Sequence, residues 1–166
     1  METNMGEYIV GAYLKIIEEC DFVNYNVKFP GGGREGLNEL DVVGLDFENK
    51  IAYLCEVSTH IDGLLYGNGN ISTVEKIKTK YERQKKYADK YLPNFFTNRC
   101  FMFWSPVVPI GNITTELEKV NGLELVINEK YAQCIDELRE KAKKLNNDVG
   151  NPFFRTLQIL EHLRRK

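Results

Sequence analysis

Between Gly6 and Cys20 the apolar residues Val10, Leu14 and Ile17 recur at helical spacing, flanked by Ile9, Tyr13 and Ile16, which predicts an amphipathic helix. Glu7 lies on that stripe, three residues before Val10. The period then falls to two. Residues 22–29 (FVNYNVKF) alternate and carry aromatic and β-branched types, so they predict a strand. Pro30 and the glycines Gly31, Gly32 and Gly33 end it, and a mobile loop is expected there. Leu40–Phe47 and Lys50–Thr59 are two apolar runs separated by Glu48-Asn49, the pattern of a hairpin whose second strand is buried on both faces. Alternation puts Ala52, Leu54, Glu56 and Ser58 on one side of that strand, so Glu56 emerges at the end of a nearly all-apolar segment.

A glycine-bearing loop is expected over Ile61–Asn70, and Ser72 to Glu75 spells a capping box that would open a long helix ending near Tyr91, before Pro93. Cys100–Trp104 predicts a short strand, 114–120 a short helix, Leu123–Ile127 another strand and Lys130–Leu145 a charged amphipathic helix. A last helix is expected over Pro152–Lys166, with Pro152 in its first turn. A meander followed by strands that alternate with helices implies an α/β fold with a mixed sheet covered by helices on both faces.

The 166 residues suit one domain, and 43% hydrophobic with 28% charged residues describes a chain able to fold by itself. Cys20, Cys55, Cys100 and Cys134 form no CxxC pair and read as reduced core thiols. The first residues lack a basic stretch followed by an apolar run, and no segment approaches the roughly 18 apolar residues of a membrane span, so a cytoplasmic protein without membrane contact is expected.

A net charge of −2 excludes coating of nucleic acid by bulk electrostatics, yet charge is unevenly placed. Lys76, Lys78, Lys80, Arg83, Lys85, Lys86 and Lys90 crowd one helix against Glu82 and Asp89, and Arg164, Arg165 and Lys166 close the chain. Such a run serves as a solvated helix face or as a surface that grips phosphates.

The turn at Glu48-Asn49 sets a register in which Asp41 falls opposite Glu56, with Cβ atoms about 5 Å apart. Carboxylates so close repel unless a cation lies between them, and a hard divalent ion with oxygen ligands suits them.

Helix, strand, Glu39-Leu40-Asp41-Val42-Val43 and then Tyr53-Leu54-Cys55-Glu56-Val57-Ser58 together resemble the PD-(D/E)XK superfamily of restriction-endonuclease-like nucleases, built on an αβββαβ core. The resemblance covers residues 5–104 and leaves 105–166 as a strand-helix-helix extension. It implies that Asp41 and Glu56 are catalytic carboxylates holding Mg²⁺ or Mn²⁺ with the Val57 carbonyl. It also implies that Glu7 is the helix glutamate aimed at the metal site, that Glu39 is a further acidic residue on the Asp41 face, and that DNA is the substrate.

The chain departs from the family at Ser58, which stands where a lysine belongs and cannot take over that lysine's work on the attacking water and the transition-state charge. Some members supply the lysine from the next helix, where Lys76, Lys80, Gln84 and Tyr87 form one ridge. Lys76 or Lys80 is thus the candidate amine, and Gln84 and Tyr87 resemble the glutamine-tyrosine pair of exonuclease-like members. With Arg83, Ser58 and His60 they make up the expected nucleic-acid surface. His162 has no partner in view, and Phe101, Phe103 and Trp104 read as core strand. Two other readings stay open: a catalytically degenerate nucleic-acid-binding or partner subunit, and an α/β protein whose two carboxylates only satisfy backbone amides. The last helix, with Phe153, Phe154, Leu157, Ile159, Leu160 and Leu163, is expected to cover the core, with a homodimer seam as the other use.

Overall fold

The computed structural model describes residues 2–30, 39–63, 66, 67 and 69–164. The loop expected at Gly31–Gly33 and the terminal Arg165 and Lys166 lie outside them. Helix α1 (Met5–Ile16) leads into strands β1 (Phe22–Lys28), β2 (Glu39–Asp46) and β3 (Ile51–Val57). Helix α2 (Asn70–Tyr91), β4 (Asn98–Ser105), α3 (Asn112–Glu118), β5 (Leu123–Ile127), α4 (Asn128–Lys144) and α5 (Pro152–Leu163) follow.

The five strands form one sheet in chain order, antiparallel from β1 through β3 and parallel from β3 through β5. The mixed α/β architecture read from the sequence is therefore present. The β2–β3 turn is held by Asp46, whose carboxylate accepts the Asn49 backbone N–H at 2.8 Å and its Nδ2 at 2.7 Å. Val42 opposite Cys55 and Val43 opposite Leu54 give the predicted register, which continued by one rung sets Asp41 against Glu56.

Two layers cover the sheet. On one face Val10 and Leu14 of α1 pack with Val42, Tyr53, Cys55 and Trp104, joined by Tyr131 and Cys134 of α4. On the other, α2 and α3 bury Val74, Ile77, Ile113 and Leu117 against Phe103, and Ala88 against Leu40, Val43 and Leu54. Trp104 and Phe103 are core as expected, each fully buried large side chain contributing about 1.5–3 kcal/mol. The cysteines are free thiols, three buried and Cys100 half-buried.

Several boundaries differ from the sequence reading. Helix α1 stops at Ile16 rather than Cys20, because Glu19 adopts φ 55° and turns the chain toward β1. Helix α2 begins at Asn70, and the Ser72–Glu75 capping box does not form. Gly69, at φ 139°, starts the helix earlier, so Ser72 is already inside the first turn, where its hydroxyl donates to the carbonyls of Tyr66 and Gly69. Helix α5 covers the core through Phe154 and Leu157 and is tied to α1 by Asn151 Nδ2, which donates to the Tyr8 carbonyl at 2.9 Å. Its other flank leaves Ile159, Leu160 and Leu163 exposed. No helix among the described residues is long and apolar enough to cross a membrane.

Candidate active site

Strand β3 carries Glu56 to the end of a ladder buried on both sides, and burial leaves that side chain 2% exposed. Asp41, near the start of β2, turns its carboxylate across the strand end, where Oδ2 accepts the Val57 backbone N–H at 2.7 Å. Lys80, in the third turn of α2, donates from Nζ to Glu56 Oε2 at 2.6 Å and lies 3.8 Å from Asp41 Oδ2. The second Glu56 oxygen, Oε1, is buried with no hydrogen-bond partner.

The electrostatics follow from that burial. Desolvation pushes the Glu56 carboxyl up to about 7, with Asp41 adding repulsion and the Lys80 ammonium offsetting part of the rise. Burial works to lower the pKa of Lys80, but Glu56 and Asp41 outweigh it and raise it, so the amine stays protonated. A protonated Lys80 acts as a fixed positive charge rather than as a base.

Glu7 approaches from the other layer. It is the third residue of α1 and closes a reciprocal cap with Asn4: Asn4 Oδ1 accepts the Glu7 N–H at 3.1 Å, and the Glu7 carboxylate accepts the Asn4 N–H and Nδ2. Asn26 Nδ2 donates to Glu7 Oε2 at 3.0 Å. Burial raises the Glu7 pKa, these hydrogen bonds hold it back, and the charges of Asp41 and Glu39 push it up further. Glu39 is itself buried.

The remaining sequence candidates separate. Lys76 lies over the Tyr66 ring, 4.4 Å from its centroid, and makes no ion pair with the carboxylates. Gln84, expected on the substrate side, is instead fully buried. Its Nε2 bridges the carbonyls of Leu54 and Met102 at 2.9 Å each, because an amide in the middle of α2 meets the backbone of β3 and β4 there. Tyr87 stacks on Phe29 at 5.1 Å. Arg83 is half-buried and its charge eases the ionisation of Glu56. Ser58 is buried, its N–H donating to the Trp104 carbonyl at 2.8 Å, and its hydroxyl has no partner. His60 is exposed, edge-on to Tyr66.

Asn4 and Asn26 escaped the sequence reading. Asn26 left a signal, since asparagine is depleted in strands and here interrupts an aromatic, β-branched run.

No protein-family model matches this chain, and no curated protein or solved structure matches it. The site must be judged on its own chemistry. No cluster of three or more His, Cys, Asp or Glu side chains is arranged to hold a metal among the described residues. The donor set that is present still fits a hard divalent ion: two carboxylates at one strand end, one with an orphaned buried oxygen.

Proposed function

We propose that this chain is a divalent-metal-dependent nuclease that hydrolyses DNA phosphodiester bonds on a restriction-endonuclease-like core, α1 through β4. One observation carries the reading: Lys80 places its ammonium 2.6 Å from Glu56 and 3.8 Å from Asp41, which supplies from α2 the amine that Ser58 withholds from β3.

Asp41 and Glu56, with the Val57 carbonyl, would hold Mg²⁺ or Mn²⁺. When bound, the ion would supply neutralisation of phosphate charge and activation of water for the attack. Lys80, kept protonated by its two carboxylate neighbours, stabilises negative charge that builds on the phosphoryl oxygens. Ordinary phosphate contacts from the exposed lysines of α2 position the backbone without reading sequence.

The buried Lys80–Glu56 pair also supports a second reading, a degenerate nucleic-acid-binding or partner subunit in which the lysine stands permanently in place of the ion.

The deciding experiment is Mn²⁺ calorimetry on wild type and Asp41→Ala beside cleavage of plasmid and single-stranded DNA. Binding and cleavage that both vanish in the variant support the nuclease. Metal binding without cleavage favours the degenerate subunit, and a wild type that binds no Mn²⁺ makes the carboxylates structural.

A further inference from the structure

The ladder between β1 and β2 skips one rung. Tyr25 pairs with Val42 and Val27 with Leu40, but Asn26 and Asp41, which that register sets opposite each other, do not pair. Asn26 has φ 51°, in the left-handed region that side chains enter at a cost and asparagine enters most readily.

The faces of both strands reverse at this rung. Val23 and Tyr25 pack in the layer of Val10 and Leu14 from α1, whereas Val27 and Phe29 pack with Ala88 of α2 and with Leu92, just past its end, on the opposite face. An unbroken strand would keep all four on one side. In β2, Val42 belongs to the α1 layer and Leu40 to the α2 layer, although period two would unite them. Asp41 is the residue between. Its carboxylate reaches the Val57 N–H and stands 3.8 Å from Lys80 on the α2 side, while its charge is felt by Glu7 on α1.

We propose that Asn26 is a positioning residue for the Asp41–Glu56 pair: its left-handed backbone reverses the two strands at the one rung from which Asp41 reaches the end of β3. Glycine would supply that backbone as readily. Asparagine adds the amide that donates to Glu7, which ties α1 to the same rung. The bearing of Asn26 on metal binding rests on the nuclease reading; its bearing on where Asp41 lies does not.

The test compares Asn26→Gly, which keeps the left-handed region open, with Asn26→Ala, which disfavours it. The first readout needs no metal: amide hydrogen exchange at Val57, whose N–H is held by Asp41. Asn26→Gly is expected to keep Val57 protection within about threefold of wild type. Asn26→Ala is expected to lose about tenfold or more, as Asp41→Ala does, while Leu54 and Cys55 stay protected in all three. In Mn²⁺ calorimetry the alanine variant should bind about tenfold more weakly and the glycine variant within about threefold of wild type.

Val57 protection as strong in Asn26→Ala as in wild type overturns the proposal. Loss of protection in Asn26→Gly also overturns it, and that result decides even if the alanine variant fails to fold. A wild type that binds no Mn²⁺ removes the nuclease reading, and Val57 exchange still judges Asn26.

Discussion

Lys80 and Glu56 stand 24 positions apart in the chain and meet at 2.6 Å, the amine from a helix and the carboxylate from the end of a strand buried on both faces. Their meeting separates two lysines that the helical ridge alone treats alike. On the nuclease reading proposed above, Lys80→Ala is expected to lower kcat for DNA cleavage by about 10²–10³ while Mn²⁺ affinity holds or tightens, since a competing cation leaves. Lys76→Ala, which removes a cation over Tyr66 and no more than one of several phosphate contacts, should leave both within about threefold. Equal losses in the two variants, measured by single-turnover cleavage and calorimetry, would exclude this assignment of the amine.

The pH dependence of stability follows from Glu56. Its carboxyl titrates at about 7 in the folded protein against the ordinary 4.5, so between those values the folded state holds a proton that the unfolded chain has released. Stability therefore falls as pH rises from 4.5 to 7 and levels off above, by an amount on the order of 3 kcal/mol for this group. Urea unfolding of wild type and Glu56→Gln across that range checks it: the difference between the two curves should carry the slope, and parallel curves would remove Glu56 as its source.

Gln84 predicts a stability change without a change at the site. Gln84→Ala leaves the buried carbonyls of Leu54 and Met102 short of a donor, which should cost about 2–4 kcal/mol in denaturant unfolding. Mn²⁺ affinity is expected to stay within about threefold. A large fall in affinity with stability intact would return Gln84 to the substrate surface.

The thiols give a fourth test. Burial pushes Cys20 up to about 12 and Cys55 well above its ordinary value, so neither supplies thiolate at neutral pH. Native protein treated with iodoacetamide should label slowly and first at half-buried Cys100, and mapping the alkylated peptides by mass spectrometry decides. Rapid alkylation of Cys55 would contradict the packing of β3.

The sequence made β3 legible because burial on both faces forces a continuous apolar run, and a lone glutamate at its end stands out. The hairpin register follows from the position of the turn alone, and that register sets Asp41 against Glu56. The choice between Lys76 and Lys80 was not legible. Spacing puts both on one ridge, and only the position of Tyr66, brought up by a loop, takes Lys76 away. The burial of Gln84 is illegible for a related reason: periodicity says which residues share a helix face, not whether that face meets solvent or the backbone of a sheet. Asn26 was hidden because alternation assumes that a strand keeps its faces, and this one exchanges them.

The sheet is laid down in chain order, each strand bonding to the one made just before it. As the polypeptide leaves the ribosome, every new strand finds its docking edge already in place, so the sheet can extend without waiting for distant partners. Helix α1 follows another schedule. Ala12 is buried under Phe154, and the Tyr8 carbonyl is met by Asn151, 143 positions later. Helix α1 thus keeps that flank bare until α4 and α5 have been made, and α5 is the seal that ends this exposure.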